Sequence, residues 1–343
     1  MTSKTVEPLP KGLERWLSRL NASAEAGLIP LTGDGSIRRY FRLDGTGLVA
    51  LYGPDKAENL AWLQIGRHLW FKGLKVPRIF EHDLEAGFFL LEDLGDKFLV
   101  TPGHPAKRAA LPCFRQAVEW LASLHNKGLD GFNSKWCHQT RAYDASMIKN
   151  QEVFYYLNSF LTDYLKWPRL PKGIEHEARD FSRLAAPSEK NYVLMHRDFQ
   201  GRNLMLKNGQ VYAIDWQGAR LGSAAYDLSS LLNESPYQPF TGEEKEELIS
   251  HYLHARGRGD WRKGFRHELT ITGAARLMQA LGAYGKLSLE GKEHFASYMP
   301  ETIKQLAEKL QSPLLKSFPA LRETALEASR QLPVNAKPKQ NRP

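Results

Sequence analysis

MHRDFQGRNLM, residues 195–205, sets a histidine, three further charged side chains, two amides and a glycine between two methionines. Within it His196, Arg197 and Asp198 are followed by Asn203, giving H-x-D-x-x-x-x-N on a loop that leads into a strand. The apolar stretches LMLK and VYAI come next, joined by Asn208-Gly209, a strong two-residue hairpin signal. Asp215 follows in AIDWQG. The loop and the end of the second strand therefore gather two carboxylates and one amide oxygen at the same edge of a small sheet. Hard cations carried on phosphates are held by such a set.

Phosphoryl transfer asks little covalent chemistry of a protein. It needs a carboxylate to align and deprotonate the acceptor hydroxyl, and oxygen ligands for the metal on the nucleotide. Asp198 suits the first role; Asn203 and Asp215 suit the second. Magnesium bridging the phosphates neutralises charge as it develops, where most of the acceleration arises. His196 reads as a buried scaffold that hydrogen-bonds the loop. The alternative for the whole stretch is a polar turn with Asp215 as a strand-end cap.

Outward from this loop the pattern divides. In KGLERWLSRLNA, Leu13, Trp16, Leu17 and Leu20 share one helix face, which should lie on a sheet. SIRRYFRL, the turn DGTG and LVALYG predict a strand pair, and RIFEHD with GFFLLED predicts another, with a helix over about 57–72 between the pairs. From Pro105 onward the pattern is mostly helical: about 106–127, 148–166, 174–186, 242–255, 263–287, 300–311 and 319–331. The expectation is an α+β chain of two lobes: a small strand-rich lobe over 1–92, a larger, mainly helical one over 93–330 carrying the hairpin, and a disordered tail over 331–343. Ligands commonly sit in a cleft between two such lobes.

With 343 residues, 42% of them hydrophobic, the chain can bury a large core. No apolar run approaches the roughly 18 residues of a membrane span, and MTSKTVEPLPKG lacks the apolar stretch of a secretory signal, so a cytoplasmic protein without a membrane partner is expected. Cys113 and Cys137 lack metal-ligand spacing, which fits a reducing compartment. The net charge is +9, but Lys337, Lys339 and Arg342 lie in the proline-punctuated tail, and no basic helix or aromatic-basic stripe stands out. Nucleic acid is not an expected partner.

MHRDFQGRNLM, AIDWQGA and AAYDLSSLL resemble the catalytic loop, metal-binding loop and following helix of the aminoglycoside phosphotransferase and choline kinase group, which shares the protein-kinase fold. The resemblance spans roughly residues 30–310 and implies ATP and Mg2+ as cofactors. It makes Asp227 a structural acid bracing the catalytic loop; the alternative is a helix-start cap. In TGDGSIRRYFRL, Gly33 and Gly35 form a turn where backbone N–H groups can approach phosphate, with Ser36 beside them; a plain hairpin turn is the alternative. Alternation sends Arg38 and Arg39 to opposite faces, and Arg38, sharing a face with Ser36, is the one expected in the cleft. GFFLLEDLG resembles the hinge, where backbone groups near Glu92, Asp93 and Leu94 would meet the adenine edge. Aligning LVALY with V-A-I-K puts Tyr52 where the phosphate-binding lysine belongs, with Glu58 a candidate for its acidic partner. Either an arginine of RRYFR supplies the missing charge, or the chain is a non-catalytic pseudokinase.

GDGSIRRYFR and HRDFQGRNLM together are most similar to the branch of that group that phosphorylates N-acetylmuramate and N-acetylglucosamine at the anomeric hydroxyl, a small-molecule amino-sugar partner. A sugar pocket needs bidentate polar groups and a flat apolar wall. Gln200, Arg202 and Gln217 flank the presumed transfer site, with Trp216 as the wall. Arg276 and Gln279 share a helix face at i, i+3; a solvated face explains that pair equally. An aminoglycoside, being polycationic, would want acids instead, and TGEEKEEL reads better as an exposed helix start. A neutral or acidic amino sugar therefore ranks first, an aminoglycoside or other small alcohol second, and a protein hydroxyl third.

Overall fold

The computed structural model describes residues 8–22, 27–31, 37–101, 108–233, 240–257 and 262–332. Gly33, Gly35, Ser36 and the tail beyond Leu332 lie outside the described residues.

The first part is an antiparallel sheet of order β1-β2-β3-β5-β4, built from β1 (Leu28–Leu31), β2 (Arg39–Leu43), β3 (Leu48–Tyr52), β4 (Ile79–Asp83) and β5 (Phe88–Glu92). β1 escaped the sequence reading because Pro30 sits in it, which an edge strand tolerates. Alternation gives the sheet two apolar faces. Phe41, Leu43, Ala50, Phe88 and Leu90 pack with Leu13 and Leu17 of α1 (Leu13–Arg19). Val49, Leu51, Phe89 and Leu91 pack instead with α2 (Lys56–Phe71), in a core that continues unbroken into the helical part.

α2 starts where Asp55 caps the Glu58 amide. Its docking depends on Gly66: a Cβ there would lie 2.7 Å from the Trp216 ring. Trp62, one turn earlier, stacks on Trp216 at 4.9 Å, and the indole N–H of Trp216 donates to the Trp62 carbonyl at 2.8 Å. Trp216 is fully buried by this contact, so it cannot be the apolar wall expected for a sugar.

After Glu92 the chain runs beside the hairpin of β7 (Leu204–Lys207) and β8 (Gln210–Ala213), with Leu206 N–H donating to Lys97 O and Leu99 N–H to Leu204 O. Asn208 and Gly209 both take positive φ, as the tight turn requires. β6 (Val193–Met195) pairs with β9 (Arg220–Gly222), a three-residue strand too short to show in the sequence. The helices are α3 (Leu111–Lys127), α4 (Ala145–Ile148), α5 (Ile174–Ala185), α6 (Ala224–Leu232), α7 (Gly242–Ala255), α8 (Arg262–Leu289), α9 (Met299–Leu310) and α10 (Pro319–Gln331). α3 starts later than the expected 106, with Pro112 in its first turn. The helix expected over 148–166 is α4 continued in wide π-type turns over Lys149–Val153 and Tyr156–Tyr164, and the widening coincides with the fully buried carboxylate of Glu152. Among the described residues no helix is long and apolar enough to cross a membrane.

Candidate active site

β6 delivers the H-x-D loop and α6 holds it from behind. Asp227, fully buried in the first turn of α6, accepts the His196 N–H at 2.7 Å and the Arg197 N–H at 2.8 Å. The cap of α6 is a different residue, Ser223, whose hydroxyl accepts the Ala225 N–H. Behind Asp227 stand His125 Nε2 at 3.1 Å and, on the other ring nitrogen, the Tyr252 hydroxyl at 2.7 Å. Burial pushes the His125 imidazole below its ordinary pKa, despite the carboxylate. The His196 ring corrects an expectation: among the described residues neither of its nitrogens has a hydrogen-bond partner, and it packs edge-to-face against the stacked pair of Trp120 and Phe199. Only its backbone joins the network.

Arg197 has φ 78°, a conformation uncommon outside glycine, which the hydrogen bonds donated to Asp227 by the His196 and Arg197 N–H groups help to hold. Its guanidinium turns inward to Glu152 at 3.7 Å. Glu152 in turn accepts the hydroxyls of Tyr143 at 2.6 Å and Tyr226 at 2.9 Å. Nothing in the sequence flagged this buried pair, since its partners are scattered from 143 to 226 on separate elements.

Turning the backbone at Arg197 aims Asp198 the other way, where 42% of its side chain is accessible. Gln200 Nε2 reaches Asp198 Oδ1 at 3.3 Å, and Arg276 Nη2 lies 3.8 Å from the same oxygen. Partial desolvation by the surrounding loop raises the Asp198 carboxyl, but the guanidiniums of Arg276, Arg197 and Arg202 outweigh it and hold the group below the ordinary carboxylate value. Arg276 is itself buried, its Nε donating to Ser230 Oγ at 3.0 Å and its Nη1 to Gln279 Oε1. The i, i+3 pair is therefore an internal device beside Asp198, not a solvated helix face.

Asn203 Nδ2 donates to the Asp198 carbonyl at 2.9 Å and lies 3.5 Å from Asp215 Oδ2. Asp215 has φ 67° and ψ 43°, the left-handed region, which presents its carboxylate toward Asn203 at the mouth of the hairpin. Among the described residues no three of His, Cys, Asp and Glu cluster tightly enough to cage a metal alone. A magnesium ion carried on nucleotide phosphates needs only one or two protein carboxylates, the phosphates and water supplying the rest. Asp215 with Asn203 fits that requirement.

Gln217, expected beside the sugar, donates Nε2 to Asp215 Oδ1 at 2.7 Å and accepts from Arg38 Nη1 at 3.4 Å. Arg38 is buried and also faces Glu58 Oε1 at 3.7 Å. Arg39 points oppositely, over the Phe41 ring and onto the Pro8 carbonyl. Tyr52 is on that outer face too, against Phe88 and the α1 cluster, so the alignment that put it in the lysine position is off by a face. At the expected hinge, Glu92 N–H and Asp93 N–H are taken by the Arg78 and Gly47 carbonyls, and Lys207 Nζ binds both Glu92 Oε1 at 2.6 Å and Asp93 O at 2.8 Å. The Leu94 side chain is buried, and its N–H has no protein acceptor among the described residues.

Solved structures share this architecture. A choline/ethanolamine kinase family protein from Mesorhizobium loti superposes with a TM-score of 0.59 at 17% identity, covering 90% of this chain and 99% of that one. The ADP-bound aminoglycoside phosphotransferase APH(2'')-Ib gives a TM-score of 0.57 at 14% identity over 90% and 99% of the two chains. The fold is thus the protein-kinase-like α+β fold of these kinases. Among curated proteins, the N-acetylmuramate/N-acetylglucosamine kinase of Pseudomonas aeruginosa is 30% identical over 221 residues, 61% of this chain and 60% of that protein. The protein of the same name from Neisseria meningitidis is 28% identical over 234 residues, 65% and 66% of the two. This chain thus matches less than two thirds of the length of these relatives. The model of the phosphotransferase enzyme family matches residues 27–264, which take in the sheet, the hinge and every loop described above, and the chain belongs to that family.

Proposed function

We propose that the protein is an ATP-dependent small-molecule kinase that transfers the γ-phosphate to a sugar hydroxyl, the anomeric hydroxyl of N-acetylmuramate or N-acetylglucosamine. The observation that carries this is the convergence of accessible Asp198 with Asn203 and Asp215 at the mouth of one hairpin. The names of the relatives support the acceptor class.

In this reading Asp198 takes the acceptor proton as the sugar oxygen bonds to the γ-phosphorus and the bond to the β,γ-bridging oxygen breaks, leaving ADP and the sugar 1-phosphate. Asn203 and Asp215 would hold Mg2+, which would supply neutralisation of the phosphate charge. The Glu92–Leu94 hinge receives the adenine, and residues 1–92 form the nucleotide-phosphate lobe against 93–330. Arg202 with the Arg276–Gln279 pair lines the acceptor side. Its positive field suits a neutral or acidic sugar and opposes a polycationic aminoglycoside. An anomeric hydroxyl is more acidic than an ordinary sugar alcohol, which fits a base held below the usual carboxylate value. Cytoplasmic location follows as part of the proposal, ATP being its substrate.

Incubation with MgATP and either sugar should give a phosphorus-coupled C1 proton signal by NMR, and the 1-deoxy sugar should not react. Transfer to C6, or turnover only with an aminoglycoside or a hydroxyl-bearing peptide, would reject the acceptor while leaving the kinase fold standing.

A further inference from the structure

The cleft face of β3 carries Val49 and Leu51, and its continuation is Gly53. No cation stands there, yet a kinase needs one on the nucleotide phosphates, ordinarily a β3 lysine paired with an acid on the helix that follows. A side chain at Gly53 is sterically barred, since a Cβ would fall 2.2 Å from Asn59 Oδ1. Asn59 is fixed there by donating Nδ2 to the Gly53 carbonyl at 2.7 Å.

Across the ladder, Arg39 pairs with Tyr52, so Arg38 stands one rung further on, opposite Gly53. Its guanidinium lies over the Trp62 ring at 5.6 Å and 3.7 Å from Glu58, in the first turn of α2. Gln217 ties it to Asp215 through contacts of 3.4 and 2.7 Å. We infer that Arg38, paired with Glu58 and linked through Gln217 to Asp215, is the phosphate-anchoring cation of this enzyme, moved from β3 to the head of β2. This rests on the kinase reading above and deepens it.

The chemistry of the exchange is specific. A guanidinium offers a planar fork that can keep Glu58 on one edge while turning another, at a fixed angle, to phosphate. Gln217 then serves as a positioning residue that sets the phosphate cation at a fixed distance from the metal carboxylate, and its assignment moves from the sugar to the nucleotide side.

The test is calorimetry on the full chain with MgADP and, separately, adenosine, which lacks phosphates. Arg38→Met should weaken MgADP about tenfold or more, equivalent to about 1.4 kcal/mol, and leave adenosine binding within twofold of wild type. Because Arg38 is buried, Glu58→Gln and Arg38→Lys are measured alongside, with circular dichroism melts on each. Both should weaken MgADP selectively by a smaller factor, and KM for the sugar should not move. MgADP affinity unchanged in all three variants, or an equal loss of adenosine, would assign Arg38 a purely structural role and overturn the inference. A wild-type protein that binds no magnesium nucleotide would overturn the kinase reading and the inference with it.

Discussion

Two aspartates on the same loop assembly are treated in opposite ways. Asp227 is fully buried and close to every neighbour, with contacts of 2.7, 2.8 and 3.1 Å to two backbone amides and one imidazole. Asp198, on the other side of the loop, is accessible, and its carboxylate contacts stretch to 3.3 and 3.8 Å. The first spends both its oxygens on the protein. The second is aimed but left available. Such an unequal distribution is what a rigid scaffold with a reactive front requires, because the loop geometry must be over-determined from behind if the front is to await a ligand.

That contrast can be broken from either side. The largest effect is expected at the front: Asp198→Asn should lower turnover by about 10² to 10⁴, the usual contribution of a positioned proton acceptor, while leaving MgADP affinity and melting temperature nearly intact. Turnover within a few-fold of wild type would remove Asp198 from the chemistry. The back should answer in stability. Asp227→Ala leaves two backbone amides and His125 without their acceptor, at about 1–3 kcal/mol for each group that stays buried and unpaired. Its chemical denaturation midpoint should fall clearly; an unchanged midpoint would show that the brace is dispensable.

The smallest effect sharpens the same comparison by pH. Burial lowers the His125 pKa in the folded protein, so the unfolded chain binds the proton more readily. The stability it contributes is therefore present above the unfolded value of about 6.5 and is lost as pH falls below it. The melting temperature should drop between pH 7 and pH 5, and less steeply in His125→Gln. Equal slopes would place the titration elsewhere.

How much of this was legible depended on whether the signal was local. The hairpin at Asn208-Gly209 and the helices α2, α5, α7 and α8 announce themselves within a few residues, through turn chemistry and apolar spacing, and they stand close to where the sequence put them. The H-x-D-x-x-x-x-N stretch likewise ordered Asp198, Asn203 and Asp215 along one short hairpin, so their meeting needed only the hairpin to form. The errors had a different origin. Trp216 looked available to a ligand and is sealed against Trp62, because the size of a ring gives no hint of which helix will cover it. Tyr52 looked like an occupied lysine position until the register showed which face it takes, and a slip of one residue reverses every side chain in a strand.

What the amino-acid sequence by itself determined, then, is the set of groups that act within one loop or one hairpin: the acid, the amide and the second acid, at spacings that the backbone alone converts into proximity. Only the tertiary structure decided the pairings that span the chain. Arg38 meets Gln217 across 179 positions and His125 meets Asp227 across 102. No local pattern encodes such contacts, because they depend on how the sheet, α2 and the helical part dock. Docking is fixed by features with no periodicity to read, such as the bare backbone of Gly66 under Trp216 and the inward turn of Arg197 toward Glu152.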